Sequence, residues 1–173
     1  MKGRILKGIG GYYTILAEDE KQYTLKARGR FRLDEVTPLP GDIIEFEPRE
    51  DGADGSIEEL LPRRNMLVRP RVANVDIVLA VVSASAPEPD LLLLDKLCAN
   101  AAMSSIKVVA VMNKSDTASQ DVKDGFLHDY AAFDAICCSS KNGENIDKLK
   151  KNAFGSLCCF AGQSGVGKSS IIN

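Results

Sequence analysis

The sequence predicts a small all-β barrel followed by an α/β domain built on a doubly wound parallel sheet. Three observations lead there. Short alternating apolar segments punctuated by glycine fill roughly the first sixty residues, as in a closed barrel. Beyond Pro62 the pattern changes to nearly continuous apolar runs that alternate with helical stretches. The last such run, Leu157 to Ala161, leads into G-Q-S-G-V-G-K-S-S at Gly162 to Ser170, and Ser170, Ile171 and Ile172 open a helix after it. A strand, a glycine-rich loop and a helix N-terminus in that order form the setting of a phosphate-binding loop.

The first domain is expected to have five strands. Arg4 to Ile9 and Tyr12 to Ala17 flank Gly10-Gly11, a hairpin turn signal, and Gln22 to Ala27 follows an acidic turn. Ile43 to Glu47 alternates apolar with polar, and Ser56 to Leu60 forms the last strand after the turn residues Asp51 to Gly55. The strand number suits an oligonucleotide/oligosaccharide-binding (OB) barrel and, as the alternative, an SH3-like one. Gly8, Gly10 and Gly11 do not make a dinucleotide fingerprint, because the third glycine and the following helix are missing. Pro62 to Pro70 marks the boundary, so the domains are placed at residues 1–62 and 63–173.

In the second domain Val75 to Val82 and Ile106 to Met112 read as strands covered on both faces. A helix from about Asp90 to Met103 places Leu94, Leu97, Cys98 and Ala101 on one side. A second helix is expected from Thr117, whose hydroxyl and Gln120 form a capping-box pattern; its apolar residues include Val122, Phe126 and Ala131. Ala135 to Cys138 is a third strand, followed by a helix from about Glu144 to Asn152.

Composition bounds the possibilities. The 173 residues are 27% charged and 45% hydrophobic with a net charge of -2, an ordinary soluble composition. Lys2, Arg4, Lys7, Lys26, Arg28, Arg30 and Arg32 give the first domain a local basic character suited to nucleic acid. Cys98, Cys137, Cys138, Cys158 and Cys159 form no C-x-x-C pair and sit in apolar runs, as buried reduced thiols of a cytoplasmic protein would. The longest apolar stretch, Ile77 to Val82, is too short to cross a bilayer, and no signal peptide is evident. His128, on a predicted helix with no catalytic partner nearby, is read as structural.

The chemistry is carried by three motifs. Gly162, Gln163, Ser164, Gly165, Val166, Gly167, Lys168 and Ser169 match G-x-x-x-x-G-K-[ST], and Ser170 follows as part of the same nucleotide-binding stretch. Its glycines let backbone N–H groups approach phosphate oxygens; Lys168 adds charge at the β- and γ-phosphates, and the Ser169 hydroxyl is a ligand for Mg²⁺. Asn113-Lys114-Ser115-Asp116, at the end of a strand, fits N-K-x-D, and Ser139-Ser140-Lys141, at the end of the next, fits S-[AS]-K. Guanine presents N1–H and its 2-amino group side by side, so one ionised carboxylate accepts both. Adenine leaves such a buried acceptor unpaired, and sites of this kind reject analogues by about 10⁴ to 10⁵. An ATP-using protein would leave Asn113 to Asp116 unexplained.

The base-reading motifs precede the phosphate loop, the reverse of the ordinary GTPase order. Together with the preceding barrel, Pro62-Arg63-Arg64-Asn65-Met66-Leu67-Val68-Arg69-Pro70 and Val72-Ala73-Asn74-Val75-Asp76, this order closely resembles the RsgA/YjeQ family of ribosome small subunit-dependent GTPases across essentially the whole chain. The resemblance implies an OB-fold barrel that docks on the small ribosomal subunit and its rRNA, then a circularly permuted, incomplete P-loop GTPase domain that binds GTP or GDP with Mg²⁺. It also implies a role in late maturation of that subunit. By the same resemblance Asn113 holds the base and the loops together, Lys114 and Lys141 cover the two ring faces, and the Ser140 N–H serves the guanine O6. Lys168 and Ser169 are the expected catalytic residues. A monomer, with neither DNA nor membrane as partner, is expected. The family's switch segment, D-x-x-G element and C-terminal zinc domain do not occur in these residues. The piece alone is therefore expected to hydrolyse GTP weakly or not at all; the alternative reading is a non-catalytic rRNA- or subunit-binding module.

Overall fold

The computed structural model describes residues 1–27, 37–48 and 55–173. Arg28, Arg30, Arg32 and most of the Asp51 to Gly55 turn cluster lie outside the described residues. The chain divides into two compact units, Met1–Asn74 and Val75–Asn173.

The first unit is a closed five-stranded barrel of β1 (Lys2–Ile9), β2 (Tyr12–Ala17), β3 (Gln22–Ala27), β4 (Ile43–Glu47) and β5 (Gly55–Leu60). Alternation drives it: Ile5, Tyr13, Ile15, Leu25, Ile44, Phe46 and Ile57 point inward and form one cluster. The strand order is β1-β2-β3-β5-β4, with β1 closing antiparallel on β4 and β3 running parallel to β5. This Greek-key closure selects the OB barrel over the SH3-like alternative.

Residues 63–74 pack with this unit, although the sequence placed the boundary at 62/63. The reason is a set of polar bonds that hydrophobic patterning does not show. Asp42 is fully buried, and Arg63 donates from Nε and Nη2 to its two carboxylate oxygens at 2.7 and 2.8 Å. The Leu39 N–H adds a third bond to that carboxylate, at 2.7 Å. A short hairpin of β6 (Met66–Leu67) and β7 (Val72–Ala73) follows, held by Ala73 N–H to Pro40 C=O at 2.9 Å and Asn74 Nδ2 to Gly41 C=O at 3.0 Å.

The second unit is a parallel sheet in the order β10-β9-β8-β11, from β8 (Ile77–Ser83), β9 (Lys107–Asn113), β10 (Ile136–Cys137) and β11 (Cys158–Gly162). Every residue of β8 is buried, and every residue of β9 after Lys107, as strands covered on both faces require. Ile77, Leu79 and Val81 pack with Leu149 of α3 (Ile146–Ala153) and Ile171 of α4 (Lys168–Ile172). Helix α1 (Leu91–Met103) packs against β8 and β9 and buries Leu94, Cys98 and Ala101, while Leu97 is half-buried.

Helix α2 (Gln120–Asp129) departs from expectation. Its N-cap is Ser119, whose Oγ accepts the Val122 N–H, whereas Thr117 closes a single 3₁₀ turn over Ser115–Thr117 and donates to Lys114 C=O at 2.8 Å. A threonine three residues before Gln120 satisfies the box pattern, but its hydroxyl is used by the turn. Phe126 is buried, while Val122 and Ala131 are exposed. Helix α3 likewise begins at Ile146, leaving Glu144 in the loop.

Burial pushes the cysteine thiols up, Cys98 to about 11 and Cys138 to about 12, and all five are free. Cys158 is only half-buried. Among the described residues no helix is long and apolar enough to cross a membrane, and no three His, Cys, Asp or Glu side chains are grouped to hold a metal ion. Removing one partner of the buried Asp42 pair strands a charge, so Arg63→Ala is expected to destabilise the first unit by about 3 kcal/mol in urea unfolding. A loss below about 0.5 kcal/mol would show that the pair does not fasten residues 63–74.

Candidate functional site

All three motifs leave the sheet at the same edge. Ser83 of β8 stands level with Asn113 of β9, and the last residues of β10 and β11 pair with Met112 and Val81. In an open parallel sheet the loops beyond the carboxyl ends of the strands are where ligands bind.

Asn113, fully buried, joins the three loops. Its Nδ2 donates to the Val166 C=O of the phosphate loop at 2.8 Å, and its Oδ1 accepts the Ser140 N–H at 3.1 Å. The close approach demands a glycine at 167: φ is +93°, and a Cβ there would lie 2.2 Å from Asn113 Nδ2. Gly162 is constrained in the same way, its φ of +148° placing a notional Cβ 2.1 Å from Val81 C=O.

Lys114 takes a left-handed conformation, φ 62°, which turns its ammonium back to the Gly165 C=O at 2.9 Å and to the Ala86 C=O. Lys168 donates to Gly162 C=O at 3.0 Å and Gln163 C=O at 2.7 Å. An ammonium has three donors, so one remains for an anion. The Gln163 Oε1 is buried without a hydrogen-bond partner. Ser164, Ser169 and Ser170 are exposed on the loop. With positive-φ glycines at 165 and 167, a lysine with a spare donor and an exposed hydroxyl on Ser169, the residues fit a phosphate chain with Mg²⁺.

Asp116 is exposed and accepts a 2.6 Å hydrogen bond from the buried Ser139 hydroxyl. That bond holds its carboxyl below the usual carboxylate range despite some desolvation, with Lys141 and Lys123 adding their charges. A lowered folded value keeps the group ionised at neutral pH; whatever stability it lends is full above the ordinary carboxylate value and is lost progressively as pH falls from there through the lowered one. Ser139 Oγ also accepts the Lys141 N–H at 3.3 Å.

Two findings differ from the sequence reading. The Ser140 N–H, expected for a guanine oxygen, is donated to Asn113 Oδ1, because a buried amide oxygen between two loops needs a donor. Glu144, read as the first residue of a helix, accepts from the buried Ser115 hydroxyl at 2.9 Å and pairs with Lys123 at 3.4 Å. Its C=O also accepts the Ser139 N–H at 3.0 Å. Neither Glu144 nor Lys123 belongs to a motif, and their pairing across 21 residues leaves no local signal.

A family model described as RsgA GTPase matches residues 60–173, and one described as RsgA N-terminal domain matches residues 2–57. The chain belongs to the RsgA GTPase family. Among its RsgA relatives, the small ribosomal subunit biogenesis GTPase RsgA of Ruminiclostridium cellulolyticum is 44% identical, the match covering 99% of this chain and 57% of that protein. The protein of that name from Moorella thermoacetica is 42% identical over 100% of this chain and 59% of its own length. Among solved structures, YjeQ from Thermotoga maritima superposes with a TM-score of 0.86 at 33% identity, covering 99% of this chain and 63% of that one. YloQ, described as a circularly permuted GTPase, gives 0.81 at 32% identity, covering 98% and 62%. The chain thus spans about three-fifths of the length of these RsgA relatives. Its fold is that of a circularly permuted GTPase domain preceded by a barrel.

Proposed function

We propose that this chain binds a guanine nucleotide with Mg²⁺, and that the protein it represents hydrolyses GTP in the cytoplasm during maturation of the small ribosomal subunit. The observation that carries the reading is the pair of bonds from the Asn113 amide to Val166 and Ser140, which sets the aspartate loop, the serine loop and the phosphate loop around one place. The names carried by the RsgA relatives support the same role.

In this reading Asp116, ionised and steadied by Ser139, accepts the guanine N1–H and 2-amino hydrogens. A carboxylate has about four acceptor sites, so the Ser139 bond leaves room for both. The Lys114 ammonium is tied to the Gly165 C=O, and its apolar stem is left to lie along one ring face while Lys141 covers the other. Ser140 serves the guanine O6 by sharing its N–H between that oxygen and Asn113 Oδ1, so the bond between the loops is kept. Lys168 directs its third donor to the β- and γ-phosphates, between which the bond breaks. Ser169 would hold Mg²⁺, a hard cation that offsets phosphate charge when bound.

The barrel supplies the second contact, to rRNA. On its outer face Ile9, Tyr12 and Lys26 stand side by side across three strands, with Lys26 Nζ 5.0 Å over the Tyr12 ring. Lys7 and Arg4 lie on the same sheet. A cation and an exposed aromatic ring together suit a phosphate backbone and an unpaired base.

Two measurements test these assignments. By titration calorimetry GDP is expected to bind at least about 10³-fold tighter than ADP, and Asp116→Asn to reverse the preference of GDP over xanthosine diphosphate, whose 2-oxo group calls for a donor. Equal affinities for GDP and ADP would refute the base reading. For the barrel, replacing Tyr12 and Lys26 together by alanine should weaken binding to small-subunit RNA about tenfold in filter binding at moderate salt. Unchanged binding would exclude this face as the contact.

A further inference from the structure

The base-reading loops rest on a carboxylate that no motif contains. Ser115 is fully buried inside N-K-S-D, and its hydroxyl finds its acceptor in Glu144 Oε2 at 2.9 Å. Ser139, equally buried inside S-S-K, donates its N–H to the backbone C=O of the same Glu144 at 3.0 Å and its hydroxyl to Asp116 at 2.6 Å. Asp116 is exposed, so its carboxylate is placed by what its neighbours do. One neighbour is Ser115, covalently next to it; the other is Ser139, hydrogen-bonded to it. Glu144 holds both.

We propose that Glu144 is a positioning residue for base recognition, its carboxylate and its carbonyl fixing the two serines that set the place of Asp116. This rests on the reading of Asp116 as the group that meets the guanine edge. The network is closed on its far side by Lys123, a half-buried lysine on α2 whose ammonium lies 3.4 Å from Glu144 Oε1. Lys123 orients the glutamate, and it ties the two loops to a helix that carries no motif. GDP offers two parallel donors to one carboxylate, the N1–H and the 2-amino group, and inosine diphosphate only the N1–H, so a carboxylate that is no longer held in place costs GDP more than it costs inosine diphosphate.

The test compares GDP with inosine diphosphate, which lacks only that 2-amino group, by titration calorimetry on the protein. The unmodified chain is expected to favour GDP about tenfold or more. Glu144→Ala should bring the ratio close to unity, mostly by weakening GDP. Glu144→Gln retains an acceptor for Ser115 and should keep the ratio within about threefold of the original. Ser115→Ala removes the same side-chain bond from its other end and should reproduce the Glu144→Ala result, and it carries the test if that variant does not fold. A ratio preserved in Glu144→Ala or Ser115→Ala, or GDP and inosine diphosphate weakened by the same factor, overturns the proposal alone. An unmodified chain that does not distinguish GDP from inosine diphosphate or ADP overturns the base reading and this proposal with it.

Discussion

One buried amide holds the second unit's working edge together. Asn113 uses its nitrogen on Val166 and its oxygen on Ser140, and it sits at the last position of a strand whose residues are buried after the first. Both ends of the side chain are satisfied by main-chain groups of other loops, so neither loop can move away without leaving a polar group unpaired, at a cost of about 1–3 kcal/mol per group. The glycine at 167 follows from this, since any side chain there would occupy the place of the amide nitrogen. Lys114, turned back by its left-handed backbone, adds a second strap from the aspartate loop to the phosphate loop. Chain order is irrelevant to these bonds, which is why a permuted sequence builds the same edge.

The two units solve different problems. Among the described residues the barrel's apolar cluster is fed by alternation that bulges in the β1–β2 and β4–β5 pairs interrupt, and its outer surface carries lysine, arginine and an aromatic ring beside exposed Leu6, Ile9 and Leu16. The α/β unit buries β8 entirely and spends its polar residues at one end of the sheet. Buried polar side chains concentrate there: Ser83, Asn113, Ser115 and Ser139 are each without solvent exposure and all lie at or just past strand ends. In low-dielectric surroundings such groups are tolerated only when fully paired, and their bonds then fix the loops more sharply than apolar packing does.

Much of this was legible in the sequence. Tyr12–Ala17, Gln22–Ala27 and Ile43–Glu47 are strands with the ends that alternation assigns, because each has one face in the core. The motif loops fall after the strands that precede them in the chain, as periodicity and glycine placement required. What escaped was non-local. The parallel pairing of β3 with β5 decides the barrel type, yet nothing within either strand encodes it. Arg63 reads as one of a cluster of boundary arginines until Asp42, 21 residues earlier, is seen to be buried against it. Thr117 and Ser119 are both competent helix caps, and only the turn that claims the Thr117 hydroxyl decides between them. Glu144 reads in the sequence as no more than the start of a helix, and its partners Ser115 and Lys123 lie on two other elements.

The central claim is that one guanine nucleotide touches all three loops at once. Amide hydrogen exchange with and without GDP tests it most directly. The account predicts that protection rises together at residues 113–116, 139–141 and 162–170, with a single dependence on GDP concentration. Protection confined to residues 162–170, as a ligand held by its phosphates alone would give, would contradict it.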